Sequence, residues 1–252
     1  MWFWSRKLKL LLGNREYEKI ISLCLKRVAT DQTDYWTLRA LGLALLYSGR
    51  PSEAFEWLTR CAGANPRKIA VQYDIGLIYM KQECYSEACG YMLKALEGGY
   101  RTENLFRDLG FSYYCLGELE KATNCFRELV RRSNKDSAAH RLLGMAYKRR
   151  AMYDEAIISY QQAILLGKDD FTDIHISIAE IYVRQEKWSL SVVEYQKALA
   201  LDPKNFSVHL ALGSIFEIIG ENTRAIDELL KAHKIHENDK RIHKKLERLL
   251  IN

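Results

Sequence analysis

"RLLGMAYKRRAMYDEAIISYQQAI", residues Arg141 to Ile164, reads as two amphipathic helices separated by a tight break near Ala151. Each helix places a small residue on its apolar face, Gly144 in the first and Ala156 in the second. When two antiparallel helices cross closely, one offers a small residue where the backbone of the other approaches, and a bulky neighbour fills the space beside it. Gly144 and Ala156 are expected to be those two contacts.

The same arrangement recurs along the chain. Gly42, Gly76, Gly110 and Gly144 are each 34 residues apart, Ala179 comes 35 later and Gly213 another 34. The single slip falls within "LLGKDDFT", residues 165–172, where turn composition tolerates an insertion. Three residues after each small residue stands Leu45, Tyr79, Tyr113, Tyr147, Tyr182 or Phe216. Twelve after it stands Ala54, Ala88, Ala122, Ala156, Ser191 or Ala225. Leu58, Met92, Phe126, Tyr160, Tyr195 and Leu229 give a second bulky place, and Gly49, Gly117 and Gly220 sit where a residue free to take positive φ ends the first helix. Self-similarity at this period decides architecture before any other reading.

The pattern resembles the tetratricopeptide repeat, a helix-turn-helix unit. The resemblance implies an all-α, right-handed superhelical solenoid of about seven repeats. Six units are expected at 35–68, 69–102, 103–136, 137–171, 172–205 and 206–239, and a degenerate one at 1–34, so that the solenoid runs over 1–239. "KRIHKKLERLLIN", residues 240–252, reads as a C-terminal capping helix with a basic outer side, which a stack needs to end its apolar interior.

With 48% apolar and 28% charged residues the composition is that of a folded chain, and its three prolines leave no obvious linker. "LKLLLG" near the start is too short to span a membrane. The six cysteines lack paired or zinc-type spacing, so a reducing, cytoplasmic setting is expected. Net charge is +6, but residues 1–27 hold seven Lys/Arg against two acids and residues 231–248 hold seven against three. Basic ends around a slightly acidic middle argue against nucleic acid as partner, which requires a cationic stripe along the binding face.

No nucleophile elbow, phosphate loop or metal-binding motif is present, so no enzyme, no cofactor and no metal are expected. His140, His175, His209 and His243 recur with the repeat itself. Lying in different units, they are separated by roughly the ~10 Å spacing of packed helices and read as structural rings. The resemblance implies a concave wall lined by the first helices. Its inward places map to Arg39, Tyr73, Asn104, Arg107, Phe111, Tyr114, Arg141, Met145 and Lys148, with Asp74 and Asp108 among them. Apolar side chains interleaved with arginines suit an extended or helical protein segment carrying apolar anchors and acidic residues. The family's carboxylate clamp would fall on Arg39, Leu43, Asp74, Asn104 and Asp108, where two acids stand among the places that should attract a carboxylate, so that chaperone-binding mechanism is rejected. A second interface is expected from Trp2, Phe3 and Trp4, in a basic aromatic stretch open to membrane-surface or protein contact, and from Lys244 and Lys245. The sequence sets no oligomeric state. The reading is a non-enzymatic adaptor or scaffold within a multi-protein assembly, with a chaperone for an aggregation-prone or exported subunit as the alternative.

Overall fold

The computed structural model describes residues 11–167, 171–237 and 239–251. Trp2, Phe3 and Trp4 lie outside the described residues. All regular elements among the described residues are α-helical, and the chain divides into two compact units, Met1–Ser133 and Asn134–Asn252. The first contains α1 (Tyr17–Val28), α2 (Tyr35–Tyr47), α3 (Pro51–Ala64), α4 (Ala70–Lys81), α5 (Tyr85–Glu97), α6 (Glu103–Cys115) and α7 (Leu119–Arg132). The second contains α8 (Ser137–Arg149), α9 (Tyr153–Leu166), α10 (Thr172–Arg184), α11 (Trp188–Leu201), α12 (Phe206–Ile218), α13 (Asn222–Ile235) and α14 (Lys240–Ile251). In each unit successive helices pair as hairpins, α2 with α3, α4 with α5 and α6 with α7, then α8 with α9, α10 with α11 and α12 with α13.

The hairpin seam shows why the small residues recur. A methyl group built on Gly144 would lie 2.7 Å from Cδ1 of Tyr160, and one on Gly110 would lie 2.7 Å from Cε1 of Phe126. Gly42 faces Leu58, Gly76 faces Met92 and Gly213 faces Leu229 in the same way. The glycine therefore lies beneath the bulky residue of the second helix, whereas the reading of the sequence had set it against backbone. Backbone does contribute, since the carbonyl of Ala88 would be 3.2 Å from a methyl on Gly76. The paired alanines Ala54, Ala88, Ala122, Ala156 and Ala225 are fully buried, as are Leu58, Met92 and Leu229. Each large apolar side chain enclosed this way contributes roughly 1.5–3 kcal/mol.

The hairpin turns are closed by one backbone device. Met152 N–H donates to the Tyr147 carbonyl at 3.0 Å and Ala151 N–H to that of Lys148 at 3.1 Å, which is the Schellman pattern. Gly49, Gly117 and Gly220 occupy the left-handed position of this motif at φ of 85°, 78° and 80°. Glu83, Ala151 and Glu186 take the same conformation at 60°, 58° and 56° without being glycine. Three first helices are capped by side chains: Thr102 accepts from Leu105 N–H, Asp136 from Ala138 N–H and Asn205 from Val208 N–H. At the end of the second unit, α14 buries Ile242 and Leu249 against a cluster that includes Val208, Leu212, Phe216 and Leu229.

Candidate protein-binding surface

Successive first helices are tied by polar contacts that link one unit of the repeat to the next. In the unit Met1–Ser133, the Arg39 guanidinium holds Asp74 through two nitrogens, Nη2 to Oδ1 at 3.0 Å and Nε to Oδ2. Tyr73 donates its hydroxyl to Asp108 Oδ2 at 2.6 Å and packs on Tyr100, ring centres 5.4 Å apart. The donors lie three places before the small residue and the aspartates two places before the next one, so each pair spans 35 residues. Burial pushes the Asp74 carboxyl above its usual value, opposed by the hydrogen bonds and charge of Arg39. Burial likewise raises Asp108, opposed by the Tyr73 hydroxyl and the charge of Arg107.

In the unit Asn134–Asn252, Arg141 meets Asp173 at 2.5 Å and Lys148 meets Glu180. Glu217 accepts from Lys245 at 3.0 Å and from Arg248, which fastens α14 to α12. Two of the recurring histidines bridge the helices of their own hairpins. His175 Nδ1 lies 2.7 Å from Glu194, and His209 Nδ1 lies 2.6 Å from Glu228. No group of three His, Cys, Asp or Glu residues suited to a metal ion occurs among the described residues. Burial pushes the Cys24, Cys61 and Cys125 thiols up to about 12 and Cys89 up to about 11, which removes them as nucleophiles near neutral pH.

These contacts sort the expected wall residues. Asp74 engages Arg39 and Asp108 engages Tyr73, which is buried, so both side chains tie one repeat to the next. Met145 is half-buried against the cluster containing Ala156, Tyr160, Ile174 and Ile178. Arg141 and Lys148 keep partial exposure but carry an acidic partner each. Asn104, Arg107, Phe111 and Tyr114 form one stripe of α6, spaced by three, four and three residues. Arg107 Nη1 donates to Asn104 Oδ1 at 2.8 Å, and Phe111 remains 37% exposed with its ring edge-on to Tyr85. Farther back, Tyr47 is exposed, stacked on Tyr17 and covered by the Lys81 ammonium 5.0 Å from its ring centre. At the C-terminal end Lys244 is exposed, whereas Lys245 is a cap contact to Glu217.

Residues 139–173 match the tetratricopeptide repeat family, and residues 179–217 match a second description of the same TPR repeat. The chain carries tetratricopeptide repeats. Its fold is that of the C-terminal part of a TPR repeat-containing protein from Cytophaga hutchinsonii, with a TM-score of 0.80 at 16% identity over 96% of this chain and 99% of that one. Among curated proteins it is 24% identical over 172 residues to the BBSome complex member BBS4 homolog of Drosophila melanogaster, covering 64% of this chain and 35% of that protein. It is 28% identical over 106 residues to the anaphase-promoting complex subunit cut9 of Schizosaccharomyces pombe, covering 39% of this chain and 16% of that protein. The chain thus matches about a third or less of the length of either relative.

One surface of this tetratricopeptide protein was missed from the sequence. In a tetratricopeptide hairpin the second helix turns one face to its partner and the other to solvent. Fourteen places after the small residue that outer face carries Glu56, Gly90, Asn124, Ile158, Val193 and Asp227 in successive repeats. Twenty-one places after it stand Gly63, Glu97, Arg131, Leu165, Ala200 and Lys234, and every one of these twelve residues is exposed. Apart from Val193, the positions of Ile158 and Leu165 on α9 are polar, charged or small in the other repeats. The signal was present as an uncharged run from Ala156 to Gly167, but it becomes legible only when outer faces are aligned repeat by repeat. Among the described residues no helix is long and apolar enough to cross a membrane.

Proposed function

We propose that this chain is a non-enzymatic, cytoplasmic scaffold that binds a segment of a partner protein within a multi-protein assembly. The observation that carries this reading is the α6 stripe, where Asn104, Arg107, Phe111 and Tyr114 form one face of a first helix and Phe111 is exposed. An aromatic ring in solvent beside a guanidinium is the composition of an interface anchor. That composition suits an extended or helical segment with apolar anchors and acidic residues. Support also comes from the relatives, whose names place them in the BBSome and the anaphase-promoting complex.

The test installs a photo-cross-linking residue at Phe111 and, as a control, at Thr59 on the outer face of α3, with capture from cells and identification by mass spectrometry. Partners joined only from position 111, and lost when Arg107 and Tyr114 are both changed to alanine, support the stripe as the binding site. The same partners cross-linked from position 59, or retained by the double variant, sink it. A partner that remains in the final assembly with the chain fits a scaffold. One from which the chain departs fits a chaperone.

A further inference from the structure

We propose that His209 is held as an imidazolium that locks the hairpin of α12 and α13 to the repeat before it, and that this junction loosens when the ring loses a proton. The ring is buried, and each of its nitrogens faces an oxygen. Nδ1 lies 2.6 Å from Glu228 Oε2 on α13, and Nε2 lies 3.1 Å from the Pro203 carbonyl in the loop that precedes α12. A carbonyl has no proton to give. The other oxygen of Glu228 accepts from the Lys231 ammonium at 2.8 Å, which keeps that group a carboxylate. Neutral imidazole donates from one nitrogen only, so a neutral ring sets a lone pair against one of the two oxygens. The imidazolium donates to both.

The same column of the repeat supplies a contrast. His140 stands at the equivalent place with its Nε2 3.1 Å from the Asn134 carbonyl, but Ser159 replaces the glutamate and donates its hydroxyl to the Glu155 carbonyl. A neutral ring with its proton on Nε2 satisfies that site. On the elements packed against α12, Asp202 in the preceding loop accepts from Asn205 Nδ2 and Lys204 N–H, and Glu194 and Lys197 of α11 are joined to each other. Asp227 of α13 joins Lys231, and on α14 Asp239 holds Arg241. Glu228 is the charge that meets the His209 ring. When a proton is lost, Nδ1 keeps its hydrogen, because a lone pair 2.6 Å from a carboxylate costs more than one 3.1 Å from a neutral carbonyl. The contact given up is the one to Pro203, which reaches outside the hairpin. The lock is therefore present at low pH and lost as pH rises, freeing the loop between α11 and α12 while α12 and α13 stay paired.

Long-range proton–nitrogen correlation spectra of the full chain with isotopically labelled histidine read the ring directly, the His209 signals being those absent from His209→Gln. At about pH 7 both ring nitrogens of His209 are expected to carry protons. In Glu228→Gln the side-chain amide can donate to Nδ1, so a neutral ring with its proton on Nε2 satisfies both neighbours, and an unprotonated Nδ1 is expected at the same pH. Amide hydrogen exchange reads the junction. The N–H groups of Asn205 and Val208, which donate to the Asp202 carbonyl and to Asn205 Oδ1, lie beside the Pro203 contact. Their protection, corrected for the intrinsic pH dependence of exchange, should fall about tenfold between about pH 6 and pH 8.5 and stay level in Glu228→Gln. A wild-type His209 ring with one unprotonated nitrogen at about pH 7 overturns the proposal. So does protection at Asn205 and Val208 that is the same at both pH values, or whose pH dependence persists in Glu228→Gln. The wild-type spectrum and the wild-type exchange decide the matter even where a variant fails to fold.

Discussion

Replacing Ala151 with glycine should stabilise the protein, although glycine is ordinarily the less favourable residue. Ala151 sits at φ 58° in the turn between α8 and α9, and its side chain is exposed, so removing the methyl group costs no buried contact. An L-residue pays about 1–2 kcal/mol to hold the left-handed conformation. Glycine removes that cost but enters the folded state from a broader unfolded ensemble, which gives back about 0.5–1 kcal/mol. The net gain is about 0.5–1 kcal/mol. Both Schellman hydrogen bonds are donated by backbone N–H groups and survive the change. Glu83 and Glu186 share the conformation in separate hairpin turns, so glycine at all three places should add nearly independently, to about 2 kcal/mol. The assay is urea unfolding followed by helical circular dichroism, in which the midpoint rises at unchanged slope. Gly117→Ala, at φ 78°, is the reverse experiment and should lower the midpoint. A fall in stability for Ala151→Gly, or no change for Gly117→Ala, would refute the claim that backbone conformation governs these turns.

Two further substitutions test the interior. Ser191 stands where the other five hairpins have alanine, and its hydroxyl is buried without a hydrogen-bond partner, so Ser191→Ala should stabilise by about 1 kcal/mol in the same urea assay. Arg39→Ala strands the buried Asp74 carboxylate and should cost about 2–3 kcal/mol, somewhat below the range for a fully buried pair because Arg39 retains some exposure. The Arg39→Ala/Asp74→Ala double variant should lose less than the sum of the two single changes.

Much of this fold was legible in the sequence because its determinants are local and repeated. The small and bulky places of Gly144, Ala156 and Tyr160 recur at a fixed period, and one physical cause, close helix crossing, explains each of them. The turns were half legible. Gly49, Gly117 and Gly220 announce a left-handed residue, whereas Glu83, Ala151 and Glu186 reach that conformation because the Schellman bonds and the hairpin packing impose it. The wall residues were found on their helix faces but not with their partners. Arg39 and Asp74 both belonged to the inward set, and their pairing depends on an offset of one place between successive repeats. That offset is a property of how first helices pack side by side, which no single repeat contains.

The same comparison decides how the outer face of α9 should be understood. A repeat that had merely lost its constraints would depart from the pattern at the seam as well as outside it, because both sets of places would be free to change. The repeat containing α10 and α11 does depart at the seam, with Ala179 in the glycine place, Ser191 in the alanine place and an insertion before it. The hairpin of α8 and α9 keeps Gly144, Ala156, Tyr160 and Ala163, the last three at 0–1% exposure. Its outer column carries Ile158 and Leu165, where the other repeats have polar, charged or small residues apart from Val193, while the packed column is that of its neighbours. Hairpin stability does not require aliphatic side chains there, since the equivalent hairpins fold with Glu56, Asn124, Glu97 and Arg131 in those places. Exposed isoleucine and leucine on an otherwise regular repeat therefore point to a demand on the surface, and a contact that covers them meets that demand.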